Sequence, residues 1–310
     1  MKTNSRLPLL RAICVALPLT LCATSTFADG FNLGSASNYG LLFQGGGGNT
    51  LQITNVTVNG NVGVGNTGKA TDSGPSMVNG SIDFSASNTG QFSNNNGSNV
   101  ITGGVNYNVS AVTMGLNTVN SLSQTILNSA GTSVGINGNT TINASSGAIF
   151  NINGQMVHIF DATSFTNGGN QTLTINGSSS DLVAINLDGL GNIQIHGGIV
   201  FTGGITGDSV LFNVGGGNYV TLSGGTSLDI NNNGGAAGIA RGIFLDPNGA
   251  ISVTNATVQG RVFGGDSHDF QYVSGSNLTA PPSVPEPGSM LLLGTGLSGL
   301  GLLLRRRRMQ

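Results

Sequence analysis

The sequence predicts a mainly β chain folded as a β-solenoid with one α-helix beside it, set between two membrane-directed ends. Three observations predict this. Short apolar alternations recur through the body, each closed by Gly or Asn. Gly supplies 52 of the 310 residues while charged residues make up only 7%, a balance that disfavours both long helices and disorder. A single stretch replaces the period of two with helical three-and-four spacing.

The alternations fall at 54–60, 136–143, 173–177, 193–198, 219–225 and 251–260. A period of two places one face of each segment in a core, and the closing Gly and Asn tolerate the positive φ that tight corners need. Many short strands with polar corners fit a sandwich, a barrel or a solenoid. The solenoid is favoured because Val, Ile, Ala and Thr dominate, small enough to fill a stack of coils. Stacked Asn at corners can also form hydrogen-bonded ladders. The helical stretch carries Val109, Val112, Leu116, Val119, Leu122 and Ile126 on one face. It reads as an amphipathic helix of about 18 residues, started by Ser110 and closed by Gly131, that covers one solenoid face.

Residues 1–28 read as a signal peptide. Lys2, Arg6 and Arg11 form its basic start, 12–23 its apolar stretch, and Thr26-Phe27-Ala28 a small-residue site with cleavage after Ala28. The apolar run is short and contains Pro18, which argues against a permanent anchor. Bulky Leu21 before Cys22 argues against a lipoprotein site. The body then spans 29–274, and a Pro-rich linker follows at 275–284. The tail at 285–310 opens with Pro285, Glu286 and Pro287, continues as an apolar span over 288–304, and ends in Arg305, Arg306, Arg307 and Arg308. The span would be about 26 Å long as a helix, at the short limit for a bilayer. The arginines act as a stop-transfer signal that stays cytoplasmic. Glu286 is the only Glu in the chain.

This three-part tail resembles the PEP-CTERM sorting signal of bacteria that carry exosortases. The resemblance implies an exosortase as partner and a temporary stay in the inner membrane. It also implies removal of the tail and delivery to the cell surface or extracellular matrix.

Composition narrows what the exported body does. Between residues 29 and 284 eleven Asp face only Lys69, Arg241 and Arg261, leaving a net charge of −8. Such a surface repels phosphate backbones, so no nucleic-acid partner is expected. Both cysteines, Cys14 and Cys22, lie in the signal peptide, so the body has no disulfide.

A second resemblance lies in the body. Its opening at 33–39, the Ile53-Thr54-Asn55 and 58–64 runs and the central helix resemble the bacterial ice-binding-like β-solenoid family. The segments 242–250 and 258–262 are similar to the choice-of-anchor A surface proteins. The resemblance implies a right-handed β-solenoid with a helix alongside.

Catalytic chemistry is harder to find. Asp161, Asp181, Asp188, Asp208, Asp229, Asp246, Asp266 and Asp269 are spread singly beside turn residues, where Asp is ordinary. Asp266-Ser267-His268-Asp269 is the densest polar cluster but has no second ligand group near it in sequence. His158 and His196 sit at strand spacing among apolar neighbours and read as sheet-face side chains. The 203–210 run approaches a calcium-binding nonapeptide, yet its second turn Gly is displaced and no tandem copy follows. Gly45–Gly48 lacks the Lys-Ser/Thr pair of a phosphate loop. No catalytic, cofactor-binding or metal-binding residue is therefore assigned.

What remains is a face of Thr, Ser and Asn, with Thr54, Thr57, Thr140, Thr141, Thr172, Thr174, Thr221, Thr254 and Thr257 as candidates for binding sugar or ordering water. Thr is also simply a good solvent-facing strand residue. The expectation is a non-enzymatic envelope or matrix protein associated with exopolysaccharide. An ice-binding or adhesion protein and a polysaccharide-degrading enzyme stay open as alternatives.

Overall fold

The computed structural model describes residues 30–215, 228–231, 238–265 and 269–282. In the first half of the chain the strands are β1 (Tyr39–Phe43), β2 (Thr50–Thr54), β3 (Thr57–Asn59), β4 (Asn61–Val64), β5 (Lys69–Asp72), β6 (Met77–Asn79), β7 (Ile82–Phe84), β8 (Phe92–Asn94), β9 (Val100–Ile101) and β10 (Val105–Asn106). Helix α1 (Ser110–Leu127) follows. The second half holds β11 (Thr132–Asn137), β12 (Thr140–Asn143), β13 (Ala148–Ile152), β14 (Gln155–Thr166), β15 (Thr172–Asn176), β16 (Leu182–Asn186), β17 (Ile193–Ile195), β18 (Gly198–Thr202) and β19 (Val210–Asn213). It ends with β20 (Leu228–Ile230), β21 (Ile239–Asp246), β22 (Ile251–Thr254), β23 (Thr257–Gly264), β24 (Phe270–Val273) and β25 (Asn277–Thr279).

These strands wind a three-faced solenoid. The helix face runs β10-β7-β4-β1-β23-β21-β19-β16-β14-β11, and the second face runs β17-β20-β22-β24-β2-β5-β8. The third face joins β12-β15-β18 at one end to the ladder of β21, β23, β25, β3, β6 and β9. Pairing is parallel except for the β13–β14 hairpin. Alternation explains the burial. In β2, Leu51 and Ile53 are buried and Thr50, Gln52 and Thr54 are not.

The order of coils does not follow the chain. The first half starts inside the stack at β1 and winds outward to β10. Helix α1 then runs back along the solenoid, and the second half winds from β11 towards the start again. Three parallel ladders close the seam, β1 on β23, β2 on β24 and β3 on β25. The helix length fits this task. Eighteen residues span about 27 Å, and the six strand spacings from β7 to β16 on the helix face span about 29 Å.

Val112, Leu116, Val119, Leu122 and Ile126 are buried against Tyr39, Leu42, Leu211, Ile243, Leu245 and Phe263. The predicted apolar stripe is therefore the docking stripe. Its ends differ from expectation. The N-cap is Val109, with no side-chain capping bond. The Val109 N–H instead donates to the Phe84 carbonyl, so the solenoid backbone holds the helix entrance. Gly131 does not close the helix, because its N–H donates to Asp161 Oδ2 at 2.7 Å and leads into β11.

Beneath the second half of α1 lies a buried polar chain. Asn186 Nδ2 donates to Asp161 Oδ1 at 2.9 Å, and Asn213 Nδ2 donates to Asn186 Oδ1 at 3.1 Å. The Ser123 hydroxyl donates to Asn213 Oδ1 at 2.7 Å. Apolar packing alone would let the helix slide; these directional bonds fix its register.

Two segments flanking the seam repeat one pattern, Ile53-Thr54-Asn55-Val56-Thr57-Val58-Asn59-Gly60 and Val253-Thr254-Asn255-Ala256-Thr257-Val258-Gln259-Gly260. Asn55 and Asn255 take φ of 56° and 48° at matching corners. Gly260 has φ of 152°, and a Cβ there would run into the Gly242 carbonyl of the neighbouring strand. One residue after each Gly the two segments diverge to Asn61 and Arg261; Asn61 ties β4 to the entrance of β1, whereas Arg261 crosses the seam. Asn61 Nδ2 donates to the Asn38 carbonyl at 3.0 Å. Arg261, 2% exposed, donates to the Ser37, Tyr39 and Pro281 carbonyls at 2.7, 2.8 and 3.0 Å and to Asp208 Oδ1 at 3.3 Å.

The seam also extends the body beyond its expected end. Residues 277–279, placed in the linker by composition, form β25 and pair with both β23 and β3. The polar, Pro-rich sequence hides the single inward side chain, Leu278, that seats this strand.

Arg261→Met is expected to destabilise the body by about 3–5 kcal/mol, because it leaves buried acceptors unpaired. Urea unfolding followed by circular dichroism measures this, and a change below about 1 kcal/mol would remove the seam role.

Candidate functional site

The faces that carry no helix present side chains in columns one strand spacing apart, about 4.8 Å. On the second face one column is polar throughout. Register aligns Gln194, Asp229, Ser252, Gln271, Gln52, Thr71 and Ser93 across the seam. None of the seven is buried. The column is about 29 Å long. The inward neighbours Ile195, Ile230, Val253, Tyr272 and Ile53 anchor it to the core. Among the described residues the side chains of Gln52, Gln194, Gln271, Thr71 and Ser93 form no hydrogen bond within the protein. Their donors and acceptors stand ready for something outside it.

The third face is also polar but is bonded to itself. Arg241, Gln259, Thr279, Asn59 and Asn79 share one column. Arg241 Nε donates to Gln259 Oε1 at 3.0 Å, and Asn79 Nδ2 donates to Asn59 Oδ1 at 2.7 Å. Further along, Asn176 Nδ2 donates to Asn143 Oδ1 at 2.9 Å and the Thr202 hydroxyl to Asn176 Oδ1 at 3.0 Å. This is the Asn ladder that the corners predict, and it spends its hydrogen bonds on stability.

The Thr candidates divide between these faces. Thr57 and Thr257 flank Asn277 on the third face, where Thr141 and Thr174 are also paired. Thr54 and Thr254 flank Val273 on the second. Thr140 and Thr172 sit at third-face strand starts, and Thr221 lies outside the described residues. No single regular Thr array results. The column of Gln, Ser and Thr was missed in the sequence, although every member sits at the polar position of an alternating strand. Only the fold shows that strands so far apart in the chain are neighbours.

The acids lie apart. Asp161 serves the chain under the helix. Asp181 Oδ2 accepts the Ser178 N–H at 2.8 Å, and Asp269 Oδ1 accepts the Thr50 N–H at 2.8 Å. Asp208, in the near-nonapeptide run, faces Arg261 rather than an ion site. Burial raises the Asp208 carboxyl, with Arg261 opposing the shift. Asp246 is buried and held well above its usual range; the Gly249 N–H reaches Oδ1 at 2.9 Å, while Oδ2 has no partner. Asp266 and His268 lie outside the described residues. His196 Nε2 lies 3.2 Å from Asp229 Oδ2 on the second face, and His158 Nε2 lies 3.8 Å from Asp181 Oδ1. Among the described residues no three His, Cys, Asp or Glu gather as a metal site would require. A cavity of about 170 Å³ beside α1 is lined by Gln44, Asn66, Thr113, Leu116, Asn117 and Asn120; amides dominate it and no acid or base enters.

Asp72 differs from Asp246 in that both of its carboxyl oxygens lack a hydrogen-bond partner. It points inward from β5 between Ile53 and Asn94. It is fully buried, and neither carboxyl oxygen has a hydrogen-bond partner. Burial pushes its carboxyl up to about 6, and the nearby Ser76 hydroxyl tempers the shift.

The predicted end residues, Ala28, Pro285, Glu286, Pro287 and Arg305–Arg308, lie outside the described residues, as does the apolar span. Among the described residues no helix is long and apolar enough to cross a membrane. Gly30 and Phe31 are buried, and the Phe31 N–H donates to the Asp208 carbonyl at 2.9 Å.

Because the folded carboxyl of Asp72 is raised, its proton favours the folded state. This contribution is present in acid and is lost as the pH rises from about 4 to about 6. Melting of the native body and Asp72→Asn at several pH values is expected to show the native losing stability relative to the variant across that window. Above it the difference levels off. Parallel curves would contradict the assignment.

Comparison with known proteins agrees with the two parts of the molecule. Residues 283–308 match the PEP-CTERM protein-sorting motif. That motif implies an exported, membrane-anchored precursor processed by an exosortase. No curated protein matches the chain. Among solved structures the body is similar to an ice-binding protein from an Antarctic biological consortium, with 13% identity and a TM-score of 0.50. That likeness covers 80% of this chain and 91% of the other. An ice-binding protein of the Antarctic ascomycete Antarctomyces psychrotrophicus is similar at 17% identity and a TM-score of 0.49, over 81% and 98% of the two chains. At 13% identity the likeness to the consortium protein concerns the fold alone.

Proposed function

We propose that this protein is a non-enzymatic component of the cell envelope or extracellular matrix, and that its second face holds neutral stretches of the producer's exopolysaccharide. The observation that carries this reading is the column from Gln194 to Ser93, in which Gln194, Gln271, Gln52, Thr71 and Ser93 keep their hydrogen-bonding capacity unspent. A sugar polymer lying along the solenoid axis meets an amide, a hydroxyl or, at Asp229, a carboxylate at each strand. Each contact is weak, and many together give avidity. The net charge of −8 over 29–284 disfavours strongly anionic polymers. The exosortase-processed tail supplies the route out of the cell.

Binding of the purified body to the producer's isolated polysaccharide is expected to fall several-fold in Gln52→Ala/Gln271→Ala, with unchanged melting. Asn79→Ala, on the self-bonded third face, is expected to bind as the native does. Equal binding by the native and the double variant would reject the second face as the site.

A second reading, ice binding, is favoured by the fold shared with the Antarctic consortium protein and by Thr54 and Thr254 on the same face. Inhibition of ice recrystallisation at micromolar protein, lost in Gln52→Ala/Gln271→Ala, would select it. Lack of inhibition would leave the matrix reading.

A further inference from the structure

The polar column of the second face contains one acid and, beside it, one base. Asp229 is the only charged member of the column from Gln194 to Ser93. His196 stands two positions after Gln194, so alternation brings both side chains out on the same side. Its Nε2 reaches diagonally to Asp229 Oδ2 at 3.2 Å, and the two side chains are 34% and 32% exposed. The pair is therefore open to whatever lies along the face. Its surroundings bring no second charge. β20 contributes Asp229 alone. On the other side, the Asn167 carbonyl accepts the His196 N–H at 2.9 Å. The titratable groups of β14 are engaged elsewhere, His158 near Asp181 and Asp161 with Asn186. Asp188 is exposed in the corner before β17, at the opposite end of that strand from His196.

We infer that His196 is a specificity-determining residue of the second face: by taking up or releasing a proton beside Asp229 it decides whether the column admits carboxylate-bearing sugar units. This inference rests on the polysaccharide reading of that face and adds the class of unit it accepts. With a neutral imidazole, Asp229 stands as an uncompensated negative charge on a body already at −8 over 29–284. Such a site repels an acidic sugar. A protonated imidazole cancels that charge and offers a donor to a carboxylate. Imidazole is the side chain whose charge changes in the mildly acid range. Neutral sugar units meet the amides and hydroxyls of the column and are held alike in both states. Asp72 titrates in the same range, its carboxyl raised to about 6 by burial. It points inward, however, from β5, four strands along this face from β20, about 19 Å away.

The test uses the protein purified from its native host and two probes, the producer's isolated polysaccharide and the same polymer lightly carboxymethylated. Affinity for each is measured at low salt, at pH 7.5 and pH 5. The ratio of carboxymethylated to unmodified affinity is expected to rise about two- to five-fold on acidification and to flatten at high salt, because the pair is exposed. In His196→Gln, where Asp72 still titrates, the ratio is expected to stay at its pH 7.5 value. In Asp229→Asn it is expected to be raised already at pH 7.5. Native binding of the unmodified polymer with a ratio that ignores pH, or an equal rise in His196→Gln, overturns the role of His196 and leaves the polysaccharide reading intact. Absence of native binding to either polymer at both pH values overturns both.

Discussion

The seam is the contact on which the rest of the molecule depends. A solenoid wound in chain order needs only neighbouring coils, but here β1 enters the middle of the stack and must pair with β23, more than two hundred residues later. Such a contact is entropically expensive to find, and once found it has to be held. Three parallel ladders and the guanidinium of Arg261 hold it. The buried cation suits the place because one planar group with five donors can satisfy carbonyls from both ends of the described body at once. Desolvation lowers the stability of its charged form and raises the Asp208 carboxyl, while their mutual attraction opposes both shifts.

Helix α1 is the consequence of that topology. After winding outward, the chain has to return past the seam to begin its second half, and a helix makes the journey with its own backbone satisfied. Its length matches the strands it crosses. The face it covers carries Leu42, Leu211, Ile243 and Phe263, which would otherwise meet water. The chain from Asp161 through Asn186 and Asn213 to Ser123 adds direction to an apolar contact that has little of its own.

The two open faces divide their labour. Side chains of the third face bond to one another and brace the stack, whereas the second face leaves much of its polar capacity unused. Binding, if spread over such a column, draws on many small contacts rather than one pocket. This agrees with a cavity beside α1 that is small and lined mainly by amides, and with a charge distribution that keeps basic groups few and mostly engaged. Arg241 and Arg261 are both bonded within the fold, which leaves Lys69 as the exposed cation among the described residues.

Much of this was legible in sequence for a physical reason. Alternation, corner Gly and Asn, and helical spacing are local signals, and local sterics and burial write them directly into the chain. They identified the alternating segments and the apolar face of α1, but the segments read as 54–60 and 251–260 each turn a corner at Asn55 and Asn255, which the unbroken alternation concealed. The sorting tail was legible for the same reason, being contiguous. Tertiary structure alone decided what depended on distant partners: the pairing of β1 with β23, the purpose of Arg261, the seating of β25 beyond the expected boundary, and the merging of Gln194, Gln271 and Gln52 into one column. Those outcomes turn on which strands become neighbours, and a period of two along one strand says which face a side chain takes but not what lies beside it.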